Sequence, residues 1–382
     1  MAILACAFIT ALLITLLIVV SAPLHNRLSG DSDRSQPQKF HTRTVPRIGG
    51  VALFGGVTAA CGPSDLLNSQ AGQLMAGLLG ASCVAFGAGL LEDITKRVTP
   101  KQRLLATVVA AALAGWWCDA LILRSDIPGL DTLLLVAGVP MAVTAFAVAG
   151  VAHATNLIDG FNGLASLCMA MVLGAIAYVA YEAGDLAVAH LALAGLGAVL
   201  AFFIFNYPRG LLFLGDGGAY FLGFWVAETG ILLAVRNPQE VSPLFPLALV
   251  IYPVFETVFT MYRRRVVQGK PMGLPDAAHL HSLVYRRLMR PGKARSDQQL
   301  KLRRNAMTAP HLWALNALPV LLAIVCFEDS TLLSLVIVGF AVVYLTIYRS
   351  IVRFRTPRVM VRQSRLPGES VFDEQVTVRS SL

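Results

Sequence analysis

The sequence predicts an all-α integral membrane protein with about eleven transmembrane helices. Three observations point there: the apolar composition, the length of the apolar runs and the one-sided placement of the basic residues. Of 382 residues, 56% are hydrophobic and only 14% charged, with a mean hydropathy of +0.67, more apolar surface than a soluble domain buries. The runs are continuous, not alternating, and most approach the roughly 20 residues a helix needs to cross the hydrocarbon core.

The spans fall at 2–22, 49–62, 72–91, 104–122, 133–152, 163–181, 186–205, 217–235, 243–262, 309–327 and 331–348. The first has no basic residue ahead of it and no clear small-residue cleavage site before His25 and Arg27, so it reads as a retained anchor. The second is short, and its Gly49, Gly50, Gly55 and Gly56 suit close helix packing.

Alternate numbering of the connecting loops puts 29 of the 31 lysines and arginines on one side, leaving Arg124 and Arg236 on the other. By the positive-inside rule the basic side is cytoplasmic, the N-terminus lies outside and the C-terminus inside. Residues 1–348 then form one membrane domain with cytoplasmic loops 23–48, 92–103, 153–162, 206–216 and 263–308. Residues 349–382 read as a basic, disordered cytoplasmic tail. Within 263–308, HLHSLVYRRLMR reads as an interfacial amphipathic helix beside anionic headgroups. The net charge of +9 follows this topology, which argues against nucleic acid as a partner. Six scattered cysteines suggest neither a disulfide framework nor a zinc site.

Four polar segments interrupt the apolar pattern, all on the basic side. In LEDITKRVTPKQRL, Glu92 and Asp93 precede Lys96, Arg97, Lys101 and Arg103. Adjacent carboxylates can hold a divalent cation or act as a base, and the cations can grip phosphate; the plainer reading is a solvated juxtamembrane loop. HATNLIDGFNGLA carries Asn156, Asp159 and Asn162 among glycines, suited to a close-lying polar ligand or to a turn with a helix cap. NYPRGLLFLGDGGAYFLG sets Asp216 among Gly215, Gly217 and Gly218 at a helix start, as a hard-metal ligand or a simple N-cap. RRRVVQGKPMGLPDAAHLHSL offers Arg263, Arg264, Arg265, Asp276, His279 and His281 to a diphosphate, or to lipid headgroups alone. Together they supply hard oxygen ligands and phosphate-binding cations at a membrane surface, an inventory for metal-dependent phosphoryl transfer to a lipid. A transporter would set its essential polar groups near the midplane; within the spans Glu228 is the main such residue, and it reads as facing packed protein or the outer boundary.

From about His41 to His281, and most closely at PRIGG, NLIDGFNGLA and FLGDGG, the chain resembles the polyprenyl-phosphate N-acetylhexosamine-1-phosphate transferases. That superfamily, glycosyltransferase family 4, includes the enzymes initiating O-antigen, common antigen and teichoic acid, and the phospho-MurNAc-pentapeptide translocase. The resemblance implies transfer of a sugar 1-phosphate from a UDP-N-acetylhexosamine to polyprenyl (undecaprenyl) phosphate, with release of UMP. It implies a bacterial inner-membrane enzyme whose site faces the cytoplasm, dependent on Mg2+ with Mn2+ as an alternative; a homodimer is allowed for. It makes Glu92, Asp93, Asp159 and Asp216 the catalytic set, with Asp216 and Asp93 at the metal. Substrate falls to Lys101, Arg103, Asn156, Arg263, Arg264, His279 and His281, and the nucleotide to Asn162, Asn206 and Phe213.

The chain departs from the family where Glu92 replaces the first aspartate of a pair, in its short HLHS motif, and at Glu256, where many relatives carry aspartate. HLHS and the basic tail after the eleventh span disfavour the pentapeptide translocase, which stays the alternative within the family. A lipid-linked sugar transporter or flippase is the alternative from another class.

Overall fold

A computed structural model describes residues 1–24, 30–31, 45–62, 69–269, 271, 276, 278–290, 296–355 and 362–363. Every predicted span has its helix: α1 Ala2–Val20, α2 Gly49–Ala60, α3 Gln70–Thr95, α4 Pro100–Cys118, α5 Val139–Ile158, α6 Leu164–Glu182, α7 Leu186–Asn206, α8 Gly215–Arg236, α9 Ile251–Tyr262, α10 Asp297–Val325 and α11 Ser330–Val352. Eight of them, all but α2, α4 and α9, are long and apolar enough to cross a membrane. Helix α2 has 12 residues, about 18 Å at the helical rise, too little for a core of roughly 30 Å. Strand pairing among the described residues is confined to two-residue pairs, Gly30–Asp31 with Val45–Pro46 and Met289–Arg290 with Arg362–Gln363. Residues 32–44 of the first loop, with His41, and most of the predicted tail lie outside the described residues.

Local chemistry fixes where several helices begin. Thr99 and Gln102 form a capping box with Pro100 in the first turn of α4. Asp329 accepts the Thr331 and Leu332 amides at 2.7 and 3.0 Å to start α11. The ninth span is broken, with a short helix Phe245–Leu249 ahead of α9. Pro253 has no N–H for the Leu249 carbonyl and its ring would crowd that oxygen, which favours the interruption at Val250. Helix α10 begins at Asp297, twelve residues before the predicted span. Those turns are polar and lie outside any hydropathy window, while Ser296 caps them by accepting the Gln299 amide.

The predicted interfacial helix turns its apolar side into the protein, with Arg286 left exposed. Leu280–Leu283 is a short α-helix that runs into a wider π-turn, Val284–Leu288, and Leu280, His281, Leu283, Val284, Tyr285 and Leu288 are all buried. Arg304 of α10 explains the inward turn: it donates to the Met289 and Tyr285 carbonyls and stacks on the Tyr285 ring.

Helix α8 is the axis of the molecule, buried from Gly215 through Leu233, with α2, α3, α5, α6 and α7 packed around it. Glu228 is fully buried within it. Glycines bring α2, α3 and α8 to backbone contact: a Cβ on Gly89 would stand 2.5 Å from the Gly217 nitrogen, and one on Gly50 2.5 Å from the Gly218 Cα. That crossing sets the end of α3 against the start of α8, which is where the polar motifs meet.

The opposite end carries Asp185, clamped by Arg236 at 2.7 Å and Asn237 at 3.2 Å. The 29-to-2 division of basic residues predicts that this end is external. A single cysteine at Glu182 should react with a membrane-impermeant thiol reagent on intact cells, in a background without native cysteines, and one at Arg355 should not. The reverse pattern would invert the topology.

Candidate active site

The site is assembled at the meeting of three helix ends. Asp93, in the last turn of α3 and 1% exposed, turns its carboxylate onto the first turn of α8. Its Oδ1 accepts the Asp216 amide at 3.0 Å and its Oδ2 the Gly217 amide at 2.9 Å. The N-terminus of α8 has no side-chain cap of its own, so an acid 123 residues away in sequence supplies it. Gly215 makes the approach possible. It sits at φ +75°, and a Cβ there would meet the Arg47 carbonyl oxygen and stand 2.5 Å from Asp93 Oδ2.

Asp216, held by this cap, is the hub. Asn156, near the end of α5, donates from Nδ2 to its Oδ1 at 3.0 Å. Arg47 Nη2 lies 3.4 Å from the same oxygen and 3.8 Å from Asp93 Oδ1. Arg103, one turn into α4, pairs with Oδ2, its guanidinium carbon 5.9 Å from the Tyr220 ring centroid. The first three motifs thus converge on one carboxylate, with two guanidiniums beside it.

Arg47 reaches the hub because the PRIGG segment pairs with the loop before α8. The Phe213 amide donates to the Pro46 carbonyl at 2.9 Å, and the Gly49 and Gly50 amides donate to the Phe213 and Leu214 carbonyls at 2.9 and 3.0 Å. Asp159 follows α5 directly. Burial pushes its carboxyl up to about 8, with Arg47 opposing and Asp93 adding to the rise, and a partly open edge lets water temper the effect.

The fourth motif closes on the second. His281 Nε2 is 3.5 Å from the position of a Cβ on Gly160, and its ring meets Phe161 edge-on at 5.5 Å. Burial drives the His281 pKa down to about 3, His279 adding to the fall while Glu256 and Asp276 oppose it, so the ring is neutral. Its Nδ1 is buried without a hydrogen-bond partner. His279 stacks on His281 at 5.1 Å. Arg263, buried at the end of α9, pairs with Asp276 and keeps Nε and Nη1 without hydrogen-bond partners, while Arg264 donates to the Pro271 carbonyl at 2.9 Å.

Other predicted residues are placed differently. Glu92 is half-buried and faces back along its own loop, its Oε2 accepting the Val98 amide at 2.8 Å. Lys101 is exposed on the first turn of α4. Asn162 donates to the Pro208 carbonyl at 3.0 Å, and its amide donates to Asn305 of α10 at 2.9 Å. Asn206 accepts the Gly163 amide at 2.5 Å and donates to the Leu212 carbonyl at 2.7 Å. These two amides hold the loops around the site through backbone groups. Arg47, in sequence one more positive-inside charge, and Asn305, whose partner lies 143 residues away, join the site only in the fold.

Among the described residues no group of three or more His, Cys, Asp or Glu could hold a metal ion. The carboxylates present fit a hard cation that takes one or two of them and completes its shell from water and substrate phosphate, which is how magnesium binds. Asp216 fits best, since it already draws cations, whereas both Asp93 oxygens hold the α8 cap.

Residues 75–234, which carry Glu92, Asp93, Arg103, Asn156, Asp159 and Asp216, match the family model described as glycosyl transferase family 4. The chain is 28% identical over 281 residues to a probable undecaprenyl-phosphate N-acetylglucosaminyl 1-phosphate transferase of Bacillus subtilis (strain 168), covering 72% of this chain and 75% of that protein. It is 26% identical to an undecaprenyl-phosphate alpha-N-acetylglucosaminyl 1-phosphate transferase of Yersinia pestis, over 66% of this chain and 69% of the relative. To a phospho-N-acetylmuramoyl-pentapeptide-transferase of Bacillus licheniformis it is 30% identical, over 58% of this chain and 72% of the relative. With its apolar helices, its motifs converging on Asp216 and these relatives, the chain belongs to glycosyl transferase family 4.

Proposed function

We propose that this protein transfers N-acetylhexosamine 1-phosphate from a UDP-N-acetylhexosamine to undecaprenyl phosphate, releasing UMP, at the cytoplasmic face of a bacterial inner membrane, and so initiates a surface polysaccharide such as O-antigen. The observation that carries the reading is the convergence of the first three motifs on Asp216, with Arg47 and Arg103 beside it at the basic end of the bundle.

Three phosphate groups meet in such a reaction, so charge must be offset before an anionic nucleophile can approach. Arg47 and Arg103 can do so once phosphate competes with Asp216 for their N–H groups. Magnesium, when bound at Asp216, would neutralise further charge on the reacting phosphates. Arg263 and His281, buried with unpaired nitrogens, suit the diphosphate of the donor. A lipid phosphate monoester has a second pKa of about 6 by analogy with phosphorylated side chains, so its nucleophilic oxygen needs little help losing a proton.

Purified full-length protein in detergent, given undecaprenyl phosphate and magnesium, tests the reading. The donor panel is UDP-GlcNAc, UDP-GalNAc and UDP-MurNAc-pentapeptide, with mass spectrometry of the lipid product. UMP and a lipid diphosphate sugar are expected from a UDP-N-acetylhexosamine. Turnover of the pentapeptide donor alone would establish the peptidoglycan reaction instead. Lipid transport without any UMP would favour a flippase, although a polar cluster at one end of the bundle suits a transporter poorly.

A further inference from the structure

Behind the histidine segment a buried acid ties two helices together. Glu256 of α9 has none of its surface exposed. Its Oε1 accepts the Leu280 amide at 3.1 Å and lies 3.2 Å from His279 Nδ1. Its Oε2 accepts the Tyr344 hydroxyl of α11 at 2.6 Å. Thr260, one turn further along α9, places Oγ1 3.2 Å from the same His279 nitrogen. A second α11 tyrosine, Tyr348, donates to the Ala278 carbonyl at 3.2 Å, with the Arg263 guanidinium carbon 5.9 Å from its ring centroid.

A carboxylate without solvent is tolerated only where donors satisfy it. Here the donors come from the histidine segment and the last helix, so neither can shift without leaving a buried oxygen unpaired. A carboxylate on one ring nitrogen also fixes which nitrogen of an imidazole carries the proton and how the ring faces. His279 is so held, His281 stacks on it, and His281 in turn meets Gly160 beside Asp159.

We propose that Tyr344 and Glu256 are positioning residues for the transfer reaction. Through the chain from Tyr344 to Glu256 to His279, the last helix sets the orientation and proton-bearing nitrogen of His279, and with them the place of His281 against the second motif. The inference rests on the transferase reading given above. The groups around His279 are Glu256 and Thr260 from α9 and His281 and Asp276 from its own segment, with Tyr344 of α11 acting on it through Glu256 and Arg263 neutralising Asp276. Removing the Tyr344 hydroxyl leaves Glu256 Oε2 unpaired, so the carboxylate is free to turn and the His279 ring with it.

The test compares full-length wild type, Tyr344→Phe, Glu256→Gln and Glu256→Asp in turnover across about pH 6 to 9, the range in which a histidine changes charge. Nitrogen-15 histidine spectra of the same samples report ring protonation without turnover. Tyr344→Phe is expected to stay folded and lose about tenfold in turnover, the scale on which a partner that orients a histidine acts. The pH profiles of Tyr344→Phe and Glu256→Gln are expected to be displaced from that of the wild type, and Glu256→Asp recovers part of what Gln loses. In the Glu256→Gln background, Tyr344→Phe adds little. Profiles scaled down without displacement, with unchanged ring spectra, would make the chain a structural brace and overturn the proposal. Wild-type turnover and spectra in Tyr344→Phe would do the same. If the wild type turns over no UDP-sugar, it is the transferase reading that fails, and the ring spectra still decide whether Tyr344 and Glu256 govern His279.

Discussion

Asp216→Asn is expected to lower turnover by at least about a thousandfold, a change of roughly 4 kcal/mol in transition-state stabilisation, and added magnesium should not restore it. The asparagine matches the size of the side chain and keeps one oxygen that can accept from Asn156, while its NH2 takes the place of the acceptor that faced Arg103. What disappears is the negative charge, which in the proposed reaction holds a divalent cation against the phosphates. The structure also allows a purely structural role, because Asp216 neutralises Arg103 and Arg47 in a part-buried setting. The two roles part in their readouts. A structural hub would cost a few kcal/mol of stability, on the scale of a broken buried ion pair, while the surviving folded fraction turned over normally. Size-exclusion and thermal melting, measured alongside UMP release at several magnesium concentrations, separate them. Near-normal turnover per folded molecule would remove Asp216 from any metal role.

Much of the architecture is legible because lipid imposes a simple code. A run such as 186–205 has few ways to satisfy its backbone except as a helix, and the basic residues of the connecting loops mark which ends lie together. Less is legible where backbone chemistry overrides hydropathy. An apolar window passes straight over Pro253, although that residue breaks the ninth span, and it stops short of the polar turns that open α10. The candidate site divides the same way. Asp216 among its glycines stands out, since Gly215 at positive φ and the backbone contacts of Gly217 and Gly218 allow no side chain. Arg47 does not, because one more arginine in a cytoplasmic loop looks like topology. The link of Glu256 to Tyr344 spans 88 residues and leaves no local spacing to read; only the cost of an acid inside a span marks Glu256 as a group needing a partner.

Asp93→Asn is expected to lower turnover by about a hundredfold, less than Asp216→Asn and by a different route, and its neighbour Glu92 is expected to be far more tolerant. Both Asp93 oxygens accept backbone amides at the start of α8, so an asparagine must turn its NH2 toward one of them, setting donor against donor in a site 1% exposed. The cost is an unsatisfied buried amide, about 1–3 kcal/mol, together with the lost attraction of a carboxylate for a helix N-terminus. The start of α8 should draw back and carry Asp216 with it. Since misplacement by about 1 Å can cost on the order of a hundredfold in rate, turnover and melting temperature are expected to fall together. Glu92, in contrast, accepts only the Val98 amide from a half-buried position, and the Oε1 of a glutamine can accept it as well. Glu92→Gln should therefore keep a measurable fraction of activity, down by about tenfold if the loop carrying Arg103 loosens, short of the roughly 10² to 10⁴ expected from losing a general base. Glu92→Asp should be milder still. An Asp93→Asn enzyme with wild-type melting and turnover would show that the α8 cap does not position Asp216. A Glu92→Gln enzyme silent across about pH 6 to 9 would instead make Glu92 the base, and the carboxylate facing the loop in this structure would then have to turn toward the lipid phosphate in the working complex.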